Sequence, residues 1–151
     1  MAGAQIELTL QGIERVEAAL GRLGSADLDD MAYNVGALLE ASTRERIATE
    51  KRSPDGAAWA PWSDARPATR QPRHSLLVQD NHLLTSIQNH SEGATVKIGS
   101  NMVYAAIHQV GGQAGRNRAV TIPARPYLGL SDADERAIHD LIAEALAEVL
   151  Q

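Results

Sequence analysis

The chain has 151 residues, a formal net charge of -5 and 44% hydrophobic residues, with two Trp, three Tyr and no Phe. This length suits one domain, 1–151, whose core must be built mainly from aliphatic side chains. The absence of cysteine excludes disulfides and cysteine-ligated metals. The negative charge argues against a general nucleic-acid binder, because contacts to phosphates require a basic surface.

No apolar run approaches the length of about 20 residues that spans a bilayer. The N-terminus also lacks the charged and then apolar pattern of a signal peptide. We therefore expect no membrane partner.

The first fifty residues predict one strand and two helices. Residues 5–10 alternate apolar and polar side chains, as a half-buried strand does. Apolar residues at helical spacing then predict a short helix that ends near Leu23. A longer helix, from Asp27 to about Thr49, would form the spine of the domain. Its apolar face comprises Leu28, Met31, Val35, Leu38, Leu39 and Ser42.

The periodicity disappears between residues 51 and 73, where prolines and arginines accumulate. Loops longer than about 12 to 15 residues are usually functional or disordered. We therefore predict that residues 51–75 form a flexible, basic loop within the domain, and that limited proteolysis cuts there first. Trp59 and Trp62 either pin this loop to the domain or serve as interface anchors.

Two β-prone runs, 84–90 and 94–99, flank a Ser-Glu-Gly turn and predict a hairpin. Val96 and Ile98 alternate with polar residues, so one face of this hairpin should be buried. Residues 119–122 offer a further strand to the same sheet.

The final helix is predicted by a capping box, in which Ser131 and Asp134 satisfy each other's backbone amides. A wide apolar stripe follows, suited to covering the sheet. Asp140, Glu144 and Glu148 recur every four residues, where like charges repel each other. Either this row is an ordinary solvated face, or it meets a basic surface of a neighbouring subunit. The nearest concentration of opposite charge in the sequence is formed by the loop arginines Arg66, Arg70 and Arg73.

Arg125 lies between Pro123 and Pro126, which hold the chain in an extended conformation. Such a restricted residue loses little entropy on binding, so we predict that Arg125 meets a charged partner. The alternative is that it pairs with a carboxylate of its own domain. The preceding glycine-rich run, GGQAG, is typical of a flexible loop.

The sequence offers no catalytic or cofactor motif. His74, His82 and His90 are spaced by eight residues, but no convergent carboxylate or cysteine accompanies them, so we expect loop histidines and no metal. His108 is more consistent with a buried, hydrogen-bonded role than with catalysis. We find no nucleophile elbow, phosphate loop or zinc-protease helix, and expect neither enzymatic activity nor a cofactor.

Three separated segments of the chain share a recognisable pattern. They are YAAIHQVGG at 104–112, IPARPYLGLS at 122–131 and PDGAAWAPWS at 54–63. Together they resemble the phage virion morphogenesis (tail completion) family, which includes the Mu-like G and P2-like S proteins. The chain departs from the family pattern at residues 80–82, where a glycine is usual before the leucine. Asn81 can adopt the same left-handed turn.

This resemblance implies an α+β fold, in which a small antiparallel sheet packs on long helices. It also implies a structural protein that completes the tail and prepares it to join the head. Its expected partners are tail and head-tail connector proteins and further copies of itself in a ring. Its expected location is the virion, or the assembling particle in the host cytoplasm.

We therefore predict an interface that combines aromatic, basic and acidic side chains. Its residues are Trp59, Trp62, Arg66, Arg70, Arg73, Arg125, Tyr127, Asp140, Glu144 and Glu148. The alternative function is a nucleic-acid-associated factor that uses the loop arginines with Arg116 and Arg118. A hydrolase ranks third.

Overall fold

The computed structural model describes residues 3–9, 25–63 and 70–149. The long helix α1 spans Ser25–Glu45 and continues into a π-helical turn, Arg46–Glu50. In that turn the Lys51 amide donates to the Arg46 carbonyl at 3.0 Å, and the left-handed backbone of Lys51 (φ 56°) ends the helix. The predicted spine is thus confirmed, whereas the short helix expected before it lies outside the described residues.

A three-stranded antiparallel sheet lies against α1. It consists of β1 (Ala4–Thr9), β2 (Gln88–Glu92) and β3 (Thr95–Ser100) in the order β1-β3-β2. Ile6 is paired with Ile98 in β3, and Leu8 with Val96. Val96 and Ile98 are fully buried, as their alternation predicts. The strand expected at residues 5–10 and the hairpin are both confirmed, which together with the helices establishes the α+β class.

The helix α1 approaches the sheet closely at Gly36. A Cβ atom there would lie 2.6 Å from the Asn89 side-chain oxygen in β2. Glu40, one turn later, accepts hydrogen bonds from the Asn89 amide (3.0 Å) and side chain (2.6 Å). Glycine at position 36 therefore lets the spine lie directly on the hairpin.

Three sequence-based expectations are wrong in this region. Residues 84–86 belong to a short helix, α2 (His82–Ser86), because Asn81 adopts a left-handed backbone (φ 61°) and accepts from the Thr85 amide and hydroxyl. After α3 (Ala105–Val110), the glycine-rich run forms β4 (Gly112–Ala114). This strand pairs with β5 (Val120–Ile122) in a separate two-stranded sheet, so residues 119–122 do not extend the main one.

The C-terminal helix α4 spans Asp132–Val149 and packs on α1. The expectation that it covers the sheet is wrong, because α1 already occupies that position. The capping box is confirmed: the Asp134 amide donates to the Ser131 hydroxyl at 3.1 Å, and the Ser131 amide donates to the Asp134 carboxylate at 2.9 Å.

Candidate interaction surfaces

Residues 123–130 form a segment without helix or strand that is held by hydrogen bonds to α3. The Arg125 amide donates to the His108 carbonyl at 2.8 Å. The Gln109 side chain makes three further hydrogen bonds to this segment. Its oxygen accepts from the amides of Tyr127 and Leu128, and its nitrogen donates to the Leu128 carbonyl. These contacts fix the path of the segment whose two prolines cannot donate backbone hydrogen bonds.

The same segment also holds the start of the loop. The Trp59 indole donates to the Pro126 carbonyl at 2.8 Å. The Arg125 guanidinium donates to the carbonyls of Ala60 and Pro61, both at 2.8 Å. The irregular path predicted for this loop is therefore confirmed where it is described, while its flexibility stays a prediction.

Three of the predicted interface residues lie in the interior of the chain. Trp59 and Arg125 are each 6% exposed, and Tyr127 is fully buried, with its hydroxyl donating to the Ala105 carbonyl at 2.8 Å. Burial also raises the pKa of the Tyr127 phenol. The folded chain thus gives all three residues a structural role that needs no partner, and the pinning alternative describes Trp59 best.

A buried ion pair joins the two long helices beneath this segment. Arg46 is 2% exposed, and its guanidinium lies 2.8 Å from the Asp134 carboxylate and donates to the Tyr127 carbonyl at 2.8 Å. The Ser42 and Ser131 hydroxyls also donate to Asp134. The cluster therefore ties α1, α4 and the extended segment together at one point.

The environment of Asp134 favours its ionised form. Burial alone would raise the pKa of this carboxyl group, but hydrogen bonds from Ser42 and Ser131 and the charge of Arg46 together lower it below its ordinary value. The capping box was predicted from the sequence, but the role of Arg46 was not. One signal was available, because Arg46 follows Ser42 by four residues and so continues the apolar face of α1.

The remaining aromatic and basic candidates lie on the surface. The Arg70 guanidinium stacks over the Trp62 ring, 4.6 Å from its centroid. Arg73 lies 3.9 Å from the Asp80 carboxylate, with both side chains largely exposed. Arg66 lies outside the described residues. Arg70 and Arg73 thus already have partners within the chain.

A groove of about 570 Å³ opens beside this stack. Its walls include Trp62, Leu77, Tyr104, His108 and β5. Tyr104 and His108 meet edge to face, with ring centroids 5.8 Å apart. Within the described part of the chain, no group of three or more His, Cys, Asp or Glu is placed to hold a metal ion.

The acidic row on α4 is exposed along its whole length. Asp140, Glu144 and Glu148 all face solvent, and none of them forms an ion pair with another described residue. Arg136 lies one helical turn before Asp140 and was overlooked in the sequence analysis, so the row begins with a positive charge. Exposed Ala143 and Ala147 lie beside the acids.

The turn between β4 and β5 carries the opposite charge. Arg116 and Arg118 form a 3₁₀ turn there, Arg116–Arg118, in which Asn117 and Arg118 both have left-handed backbones (φ 58° and 56°). Both arginine side chains are exposed and have no hydrogen-bond or ion-pair partner among the described residues. This hairpin is hereafter called the basic hairpin, residues 112–122.

Comparison with known proteins decides the family. Residues 8–147 match the model of the phage virion morphogenesis family. The chain belongs to the phage virion morphogenesis family. It is 34% identical over 145 residues to the "Putative capsid assembly protein G" of Escherichia phage Mu, covering 92% of this chain and 93% of that one.

A second relative is the "Mu-like prophage FluMu G protein 2" of Haemophilus influenzae. It is 30% identical over 135 residues, covering 88% of this chain and 90% of the relative. No solved structure matches the chain significantly. Family membership confirms the resemblance and establishes a role in phage virion assembly, which requires contacts with other phage proteins.

None of the helices in the described part of the chain is long and apolar enough to cross a membrane.

Proposed function

We propose that this member of the phage virion morphogenesis family completes the phage tail and prepares it to join the head. It does so through protein contacts, as a structural component of the assembling particle or virion in the bacterial cytoplasm. Its partners are tail and head-tail connector proteins and further copies of itself. The name of the Mu relative, a putative capsid assembly protein, supports an assembly role in the same class of process.

One observation carries the part of the proposal that concerns self-association. Unpaired charges of opposite sign are displayed at two separate places, the acidic row on α4 and the basic hairpin. A surface that is complementary to a different surface of the same chain supports a head-to-tail contact, and such contacts close into rings when the rotation permits.

The rigid interior favours such a role. The buried ion pair of Arg46 and Asp134 and the clamped residues 123–130 connect both helices, α3 and the loop. A frame that is fixed in this way keeps the two charged surfaces at a constant separation. Assembly contacts then lose little conformational entropy when they form.

The alternative is a nucleic-acid-associated factor that uses the loop arginines with Arg116 and Arg118. Arg70 is stacked on Trp62 and Arg73 lies near Asp80, whereas Arg116 and Arg118 face solvent. The protein-contact function is favoured because the acidic row on α4 offers these two arginines a complementary surface, and because the net charge of -5 disfavours contacts to phosphates.

The proposal is tested by placing a stop codon at the position of Lys51 in a phage that carries this gene. Electron micrographs of the resulting lysate should show filled heads and separate, unjoined tails. A missense control, Arg70→Gln, should leave joined particles, because it changes one exposed side chain. Normal numbers of joined, infectious particles from the stop-codon phage would refute the proposed role.

A further inference from the structure

The basic hairpin displays two exposed arginines that the described fold itself does not use. From residue 93 to residue 131 the chain contains no Asp or Glu, so no acid close in the sequence accompanies Arg116 or Arg118. Neither arginine forms an ion pair with another described residue. The described loop arginines, by contrast, are already engaged through Trp62 and Asp80. The basic surface that the sequence analysis assigned to the loop is therefore better supplied by this hairpin.

We propose that the basic hairpin of one copy docks on the acidic row of α4 of a second copy. This inference rests on the self-association in the proposed function and replaces the loop arginines as the partner of that row. Arg116 and Arg118 would each pair with one of the exposed carboxylates Asp140, Glu144 and Glu148.

The spacings of the two charge sets agree. Successive acids in the row are one turn apart, which is about 6 Å along the helix at 1.5 Å per residue. Arg116 and Arg118 are two residues apart, so their Cα atoms are separated by at most about 7 Å. Two arginines can therefore meet two consecutive carboxylates without a change in either backbone.

The apolar neighbours of the charges also match. Among the described residues, four large apolar side chains are notably exposed. Val120 lies in β5 of the basic hairpin, and Val110 lies two residues before its first residue. Val110 and Val120 are 74% and 52% exposed. On α4 the acids alternate with the exposed small residues Ala143 and Ala147. Small side chains allow close approach, so the valines can be covered in the same contact that pairs the charges.

The backbone of the hairpin supports a fixed presentation of the two arginines. Gly111 has a positive φ of 74°, and a Cβ atom at this position would lie 2.8 Å from the Ala124 amide nitrogen. The base of the hairpin is therefore packed directly on the clamped residues 123–130. The charged turn projects from a rigid support, which reduces the entropy lost on docking.

The first test measures self-association of the full chain by sedimentation velocity at low and high salt. Arg116→Gln/Arg118→Gln should weaken association at least about tenfold at low salt, and Glu144→Gln/Glu148→Gln should do the same. The matched control is Arg70→Gln/Arg73→Gln, which removes two arginines from the loop and should leave association unchanged. Circular dichroism melts confirm that each variant is folded.

The second test restores the contact with reversed charges. Arg116→Glu/Arg118→Glu and Glu144→Arg/Glu148→Arg should each fail to associate alone, because each places like charges against each other. An equimolar mixture of the two should associate again, since each reversed surface now meets its complement. Failure of the mixture to associate would overturn the inference.

Other outcomes separate this inference from the proposed function. If the wild type associates but neutralising the hairpin changes nothing, or if the loop control weakens association instead, the hairpin contact is wrong while the assembly role stands. If the wild type stays monomeric at low salt, the inferred contact between copies is refuted. The assembly role is then tested only by the electron micrographs of the stop-codon phage. Loss of binding to a labelled DNA duplex in the hairpin variant, with association intact, would overturn the inference in favour of nucleic acid.

Discussion

Replacing Arg46 with Met should destabilise the chain severely while leaving its surface unchanged. Arg46 is almost fully buried, lies 2.8 Å from Asp134 and donates to the Tyr127 carbonyl. Met fills a similar volume but leaves a buried carboxylate without its counter-ion and a carbonyl without its donor. Breaking a buried ion pair by removing one partner costs about 3 to 5 kcal/mol.

In a chain of this length, each kcal/mol lowers the melting temperature by about 2 to 4 °C. The expected loss for Arg46→Met is therefore roughly 6 to 20 °C, measured by circular dichroism at pH 7. The matched control is Arg44→Met on the same helix. Arg44 is half-exposed, pairs with Glu40 at 2.9 Å and donates to the Ile87 carbonyl, so its replacement should cost only about 1 kcal/mol.

A double variant, Arg46→Met/Asp134→Met, distinguishes the buried charge from lost packing. Removing both charges should recover most of the stability, because no unpaired ion remains in the interior. Part of the loss should persist, because the buried Tyr127 carbonyl still lacks its donor and because Asp134 also caps α4 through the Ser131 amide. A single Arg46→Met variant that loses less than about 1 kcal/mol would refute this account of the ion pair.

Three further predictions concern the interior. The pKa of Asp134 is lowered in the folded state, so the ionised carboxylate contributes its full stabilisation above the ordinary pKa of 3.8 and loses it as the pH falls through the folded pKa. The difference in melting temperature between wild type and Asp134→Asn should therefore shrink from pH 7 to pH 3. A difference that widens over this range would contradict the lowered pKa. Tyr127→Phe leaves the buried Ala105 carbonyl without its donor and should cost about 1 to 3 kcal/mol in urea denaturation, whereas a neutral result would show that this hydrogen bond contributes nothing. Arg125→Lys cannot reproduce two directed hydrogen bonds to the loop and should lower the melting temperature more than it impairs assembly; the reverse ordering would restore the partner role predicted from the sequence.

Elements with a strong local signal could be predicted from the sequence. The spine helix, the capping box at Ser131 and the hairpin with Val96 and Ile98 on its buried face all follow from periodicity and turn chemistry within short windows. The left-handed backbone of Asn81 was also predictable, because asparagine tolerates that conformation.

Elements whose partner is set by the tertiary structure could not be predicted in the same way. Residues 119–122 are predicted to form a strand, but the sequence does not indicate which strand pairs with them. In the structure the partner is the glycine-rich β4 and not a strand of the three-stranded sheet. The sequence around Arg125 predicts a binding residue, because Pro123 and Pro126 restrict its backbone. Its burial depends on the carbonyls of Ala60 and Pro61, which are more than sixty residues away in the sequence. Arg46 was missed for the same reason, since its partner Asp134 is 88 residues distant.

In vitro complementation tests the proposed role in virion assembly most directly. Purified protein is added to a lysate of the phage with the stop codon at the position of Lys51, and plaque-forming particles are counted. The account predicts that wild-type protein raises the titre by orders of magnitude, while Arg46→Met, whose fold is destabilised, raises it less. A titre that does not respond to wild-type protein, in a lysate that nevertheless contains complete heads and tails, would contradict the account.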